Sequence, residues 1–128
     1  MSITIHPGAT ALLQRAMQQV LAEVAFQVEA KAKENATPFV DTGFLRSSIQ
    51  TITPGEDGIA GRAELHTGRS GQERLYTAAD TRAARDDEAL VVCHADYAYW
   101  VERRTPFLLP AAQAVAADVG AIVQRHRL

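Results

Sequence analysis

The sequence predicts an α+β fold: a small antiparallel β-sheet packed by a long N-terminal helix and a C-terminal helix. Three observations point there. Apolar residues recur at helical spacing from about Thr10 to Lys33. The middle of the chain carries β-rich runs bounded by turn chemistry. The last part returns to helical spacing. The length, 128 residues, fits a single domain spanning 1–128.

In the first helix Leu13, Met17, Val20, Leu21, Val24 and Val28 form one stripe. Thr10 is placed to cap the helix after Pro7-Gly8, and Asn35 and Pro38 to end it. At about 100° per residue, Phe26 points away from that stripe. Ala22 and Ala30 flank it, with Leu12 near the same side. Phe26 either packs on another segment of its own chain or faces a neighbouring subunit.

Pro38 to Arg46 reads as a loop with a tight turn at Asp41-Thr42-Gly43. Leu45 to Thr53 reads as a strand, with Leu45, Ser47, Ile49, Thr51 and Thr53 on one face. The Pro54–Gly58 turn would let Ile59 to His66 return as the second hairpin strand, with Gly61 a weak point. Glu88 to Ala95 is apolar on both faces, which suits a central strand. Between them, Thr67 to Asp87 reads as a long polar connection. Its Arg69, Arg74, Arg82 and Arg85 balance Glu73, Asp80, Asp86 and Asp87, and Leu75 and Tyr76 are its large apolar residues. A connection of that length is usually functional or mobile, so 67–87 is read as an assembly loop. Arg74, Leu75, Tyr76 and Arg82, together with Phe26, make up the candidate subunit interface.

Asp96 is placed to cap a short helix carrying Tyr97, Trp100 and Val101 on one face, broken by Thr105-Pro106. Pro110 suits the first turn of the last helix. The stripe of that helix is Leu108, Ala112, Val115, Val119, Ile122 and Val123, and Arg125 and Arg127 complement its dipole.

Composition narrows the function. A formal net charge of -2 opposes tight, sequence-independent binding to nucleic acid. One cysteine, Cys93, cannot form an internal disulfide, which suits a reducing compartment. The first ten residues lack the pattern of a signal peptide, and no apolar run approaches the ~20 residues of a membrane span. Cys93 and His94 are adjacent on a strand and point to opposite faces, so they cannot act as nucleophile and base. His6, His66, His94 and His126 lack metal-ligand spacing, and Gly68 to Gly71 lacks the context of a phosphate loop. No catalytic residue, metal or cofactor is therefore expected. Tyr97, Tyr99 and Trp100 could stack on bases, but with only Arg103 and Arg104 as basic neighbours core packing is the better reading.

Two stretches carry a recognisable pattern. One is Val40-Asp41-Thr42-Gly43-Phe44-Leu45-Arg46-Ser47-Ser48-Ile49. The other is Tyr97-Ala98-Tyr99-Trp100-Val101-Glu102, followed by Pro106-Phe107-Leu108-Leu109-Pro110-Ala111. Together they resemble the tailed-phage minor tail component family, which includes neck, tail-completion and minor tail protein Z-like proteins. The structural jobs of the blocks suit a scaffold. Asp41 can accept backbone N–H groups, Gly43 can take a positive φ, and Arg46 can pair with Glu102. Phe107 and Leu108 can anchor the last helix on the sheet. In one departure, Arg104-Thr105 runs straight into Pro106, where the family has Gly-Thr and a variable loop.

The resemblance implies a structural subunit of the head–tail connector, not an enzyme. It implies a homo-oligomeric ring, six-fold like the tail, joining a head-completion protein to a tail terminator or the tail tube. DNA would pass through the lumen without specific binding. The location implied is the virion neck or tail, after synthesis in the bacterial host cytoplasm and with no membrane contact. The alternatives are a tail terminator protein or a nucleic-acid-binding module.

Overall fold

A computed structural model of the chain describes residues 7–39, 43–68 and 70–126. The expectations placed on His6, Asp41, Thr42, Arg69 and Arg127 lie outside them. The architecture is α+β, as the sequence predicted: one long helix, two small antiparallel sheets and three C-terminal helices.

Helix α1 spans Pro7–Ala36. Thr10 is therefore inside it and does not cap it. Proline is well tolerated at a first helical position because its missing N–H has no intrahelical partner there anyway, so Pro7 starts the helix instead of preceding it. A single 3-10 turn, Thr37–Phe39, follows. The 30 residues of α1 reach about 45 Å, longer than a small domain is wide. From Ala11 to Gln19 no residue is buried. Leu13 and Met17, expected in the core stripe, are each 53% exposed. The buried face begins at Val20 and continues through Ala25, Val28, Ala32 and Ala36. Three of those five are alanines, which let neighbouring elements approach the helix backbone closely.

The strand pairing differs from the expectation. Leu45 lies in a short helix, α2 (Phe44–Ser47), and strand β1 runs only over Ile49–Ile52. Strand β2, Arg62–Thr67, does not return to β1. It pairs antiparallel with β3, Glu73–Ala78, which lies inside the segment read as a loop. The period-2 signal of β3 is hidden because its outer face carries Glu73 and its inner face Arg74, so neither face reads as apolar. β1 pairs instead with β4, Leu90–Cys93, in the register Ile49↔Cys93 to Ile52↔Leu90. The two sheets meet where the chain leaves β4. The Ala79 N–H donates to the His94 carbonyl and the Asp96 N–H to the Thr77 carbonyl, both at 2.8 Å, around an isolated bridge between Ala78 and Ala95. Among the described residues β4 itself pairs only with β1, so it is not the central strand expected; the Ala95 bridge that follows it links the two sheets.

The rest of the supposed loop is held down by the 55–61 segment. The Thr81 N–H donates to the Ile59 carbonyl, that of Ala84 to Glu56 and that of Gly55 to Arg85. At Gly61 a Cβ would lie 2.5 Å from the Ala78 carbonyl oxygen, so the close pass needs glycine. The reading of 67–87 as a long loop is corrected accordingly: Glu73–Ala78 is strand β3 and the stretch after it is tied to 55–61.

Helix α3 is Ala98–Arg104. The single last helix expected is two, α4 (Leu108–Ala116) and α5 (Val119–Arg125), broken at Ala117-Asp118 just before Gly120. Asp and Gly are both poor helix formers. These helices run antiparallel to α1. The Asn35 side-chain amide donates to the Phe107 carbonyl at 3.2 Å at one end, and Glu23 pairs with Arg125 and His126 at the other. Their buried residues are Ala111, Val115 and Ile122, whereas Ala112 from the expected stripe is exposed.

Phe44, 1% exposed, joins α2 to the hairpin. Its ring centroid lies 5.6 Å from that of Tyr76 and 6.3 Å from that of Tyr97. The Arg62 guanidinium sits 4.9 Å above the ring and donates to the Ser47 hydroxyl at 2.6 Å. Gly43 makes this possible. It begins α2 with φ 79, the left-handed region that L side chains rarely adopt. Gly43→Val should therefore destabilise the domain by about 1–3 kcal/mol. Equal urea midpoints for the variant and the wild type would contradict that.

Candidate subunit interface

The Cys93 thiol is pushed up to about 11, chiefly by burial, and it faces the Leu45 carbonyl at 3.7 Å. A thiol held protonated in this way is a poor nucleophile. His94 is buried, and its Nδ1 lies 2.7 Å from the Ala79 carbonyl. That carbonyl can only accept, so Nδ1 carries the proton, and Nε2 has no hydrogen-bond partner among the described residues. Asp96 does not cap α3; it accepts a hydrogen bond from the Thr77 hydroxyl, and the residue at the cap is Tyr97. Among the described residues no cluster of His, Cys, Asp and Glu could hold a metal ion.

Glu102 has a role that the sequence did not suggest. It does not pair with Arg46, which is exposed on α2. Its carboxylate reaches across the Thr105-Pro106 break and caps α4 from outside that helix. Oε2 accepts the N–H groups of Phe107 and Leu108, each at 2.9 Å, and Oε1 accepts that of Leu109 at 3.0 Å. Helix N-termini leave such donors unpaired and favour negative charge. Burial pushes the Glu102 carboxyl up. The bonds from Leu108, Leu109 and Phe107 together outweigh that and hold it below the ordinary value. The missed signal is an acidic residue a few positions ahead of an apolar run, with a proline between.

The other structural-motif residues divide by burial. Leu45, Ile49 and Phe107 are core, at 4%, 0% and 1% exposure. Leu108 is half-buried, and Pro106 and Pro110 are exposed. Tyr97 packs on Phe44 and Tyr76. Trp100 and Tyr99 do not pack in the core. They lie edge to face on the surface at 5.4 Å, with Arg103 beside Tyr99. Expecting both in one core cluster ignored that a seven-residue helix can bury only one narrow face.

The residues proposed for contacts are likewise split. Phe26 is 51% exposed and Leu12 67%, so both leave much of their apolar surface in solvent. Leu75 faces outward, paired across the hairpin with Leu65. Tyr76 faces inward, into the Phe44 cluster. Arg74 is exposed. Arg82 is engaged within its own chain by Glu88, whose carboxyl is held down at about 2 by the Arg82 guanidinium and the Arg85 N–H. Among the described residues what remains is a set of large apolar side chains in solvent on α1, the outer face of the hairpin, α3 and, at Leu109, the start of α4.

The family model described as "Bacteriophage HK97-gp10, putative tail-component" matches residues 9–103. The chain belongs to this HK97-gp10-like family of phage tail components. The match takes in the Asp41-Thr42-Gly43 and Tyr97–Glu102 blocks and stops before Pro106–Ala111. No curated protein and no solved structure matches the chain. No helix among the described residues is long and apolar enough to cross a membrane.

The Glu102 cap makes a pH-dependent prediction. Its folded pKa lies below its unfolded value, so its stabilisation is present above that unfolded value, about 4.3. It is lost as pH falls through the folded value. Glu102→Gln should cost about 1–2 kcal/mol at neutral pH. The gap between variant and wild type should narrow below about pH 4. Urea titrations at the two pH values check this, and a gap that stays constant would contradict it.

Proposed function

We propose that this tail component is a structural subunit of the phage neck: a homo-oligomeric tail-completion ring, six-fold like the tail. In this reading it joins a head-completion protein to the tail terminator or tail tube, resides in the virion and performs no catalysis. DNA passes through its lumen without specific contacts.

The observation that carries the reading is the apolar surface left in solvent on α1, the hairpin and α3. A monomer has little reason to expose Phe26, Leu75 and Trp100 on three different elements. A subunit of a closed ring needs two different contact surfaces for its neighbours, and further ones for the rings above and below. Family membership supplies the setting in which such surfaces are used.

Mass photometry of the chain alone, and of neck complexes assembled with its partners, tests the proposal. The expected result is a monomer or weak oligomer alone and a ring in the complex. A stable dimer in both settings would overturn it, because a two-fold pair cannot close into a connector.

A further inference from the structure

We propose that the outer face of α3, built from Tyr99, Trp100, Arg103 and Arg104, docks on the acidic turns at Glu56-Asp57 and Asp86-Asp87 of a second copy of this chain. The inference rests on the ring reading and names the contact that would join neighbouring subunits.

Helical geometry sets the face. At about 100° per residue, Tyr99, Arg103, Trp100 and Arg104 share one side of α3, within an arc of about 140°. The opposite side carries Ala98, which is buried, and Val101, which packs against the core. Tyr99 and Trp100 are each 62% exposed, and both arginines are exposed. The two aromatic rings meet edge to face at 5.4 Å, and the Arg103 guanidinium lies 5.8 Å from the centre of the Tyr99 ring. Tryptophan, tyrosine and arginine are the residue types that dominate the binding energy of protein interfaces. Among the described residues neither arginine has an ion-pair partner. The carboxylates nearest in sequence are taken, Glu102 by the N–H groups of α4 and Asp96 by the Thr77 hydroxyl. The face therefore sets two uncompensated positive charges beside two aromatic rings, which fits an anionic partner.

The chain carries such a partner at its other end. The turn after β1 and the turn before β4 abut: the Gly55 N–H donates to the Arg85 carbonyl at 3.1 Å and the Ala84 N–H to the Glu56 carbonyl at 3.0 Å. Together they expose Glu56, Asp57, Asp86 and Asp87, and among the described residues none of the four is in an ion pair. Arg82 is engaged by Glu88, which leaves Arg85 against these four carboxylates. The two surfaces cannot meet within one molecule, and α1 measures the distance between them. Gln18 donates to the Asp86 carbonyl, and Asn35 to the carbonyl of Phe107, just beyond α3. At about 1.5 Å per residue these points on α1 are about 25 Å apart. Complementary surfaces at opposite ends of a subunit make a head-to-tail contact, which closes into a ring when the rotation permits. A single-stranded nucleic acid also fits a basic aromatic face, but only a second copy accounts for the acidic turns as well.

The test uses full-length variants changed only at exposed positions. Arg103→Glu/Arg104→Glu reverses the face, Asp86→Lys/Asp87→Lys reverses the turns, and Arg15→Glu/Arg46→Glu changes net charge as much as the first but elsewhere. Thermal melts should match the wild type. In a sedimentation-velocity concentration series, self-association should weaken about tenfold or more in each of the first two and stay unchanged in the third. Tyr99→Ala/Trp100→Ala, which keeps every charge, should weaken it likewise. An equimolar mixture of the two reversed variants should regain it, because the acidic α3 of one fits the basic turns of the other. Oligomers that persist in both reversed variants, or a mixture that regains nothing, would overturn this contact while leaving the ring reading intact, as would a wild type that stays monomeric at every soluble concentration. A labelled single-stranded oligonucleotide probes the other occupant: binding to the wild type that Arg103→Glu/Arg104→Glu abolishes would give the face to nucleic acid and overturn the proposal. A wild type that closes into dimers, lost in each reversed variant and regained in the mixture, would support the contact and overturn the ring.

Discussion

The fold depends on the burial of Phe44. The ring is placed by a left-handed Gly43 at the start of a four-residue helix and reaches the two aromatic side chains that pin the hairpin and α3. The hairpin is otherwise tied down by polar contacts, Arg62 to the Ser47 hydroxyl and the Thr77 hydroxyl to Asp96. Its outer face is exposed, and it meets the β1–β4 sheet through two backbone hydrogen bonds around one bridge. Truncating a buried phenylalanine typically costs about 3–5 kcal/mol, a large part of the stability of a domain this size. The ring also explains why two segments remote in sequence, the block around Gly43 and the block around Tyr97, are both part of the recognisable pattern. They are two sides of one packing contact.

A second constraint acts along the buried face of α1. The alanines at positions 25, 32 and 36 leave room for elements to lie against the helix backbone, and α4 lies there through Ala111 and Val115. Close packing of this kind needs the start of α4 to be fixed, and Glu102 fixes it. Its carboxylate is satisfied by backbone N–H donors rather than by Arg46, which is exposed on α2.

The fold class, the existence of α1 and the burial of Ile49 and Phe107 were legible in the sequence because long apolar periodicities survive any local context. The hairpin was not. β3 alternates Glu73, Leu75 and Thr77 on one face with Arg74, Tyr76 and Ala78 on the other, so its polarity resembles that of a loop. Its partner could be found only by pairing, which a single pass along the chain does not see. The exposure of Leu13 and Met17 was hidden for the opposite reason. They fit the stripe perfectly well, and nothing local records that the body of the domain has ended. Phe26 was legible as a residue out of place, since helical geometry alone sets its direction.

The antiparallel packing of α1 on α4 and α5 also has a consequence for synthesis. The contacts of Glu23 with Arg125 and His126 span about 100 positions of sequence, and β1 cannot pair until β4 has emerged. While the chain is being made, the longest helix is therefore complete before any of the surfaces that cover its core side exist. Contacts of such long range form late and slowly, and apolar surface left open in the meantime is where misassembly begins. A helix with a face of alanines is a tolerant answer to that interval. Its buried face closes only when Phe44, Phe107 and Ile122 have been made.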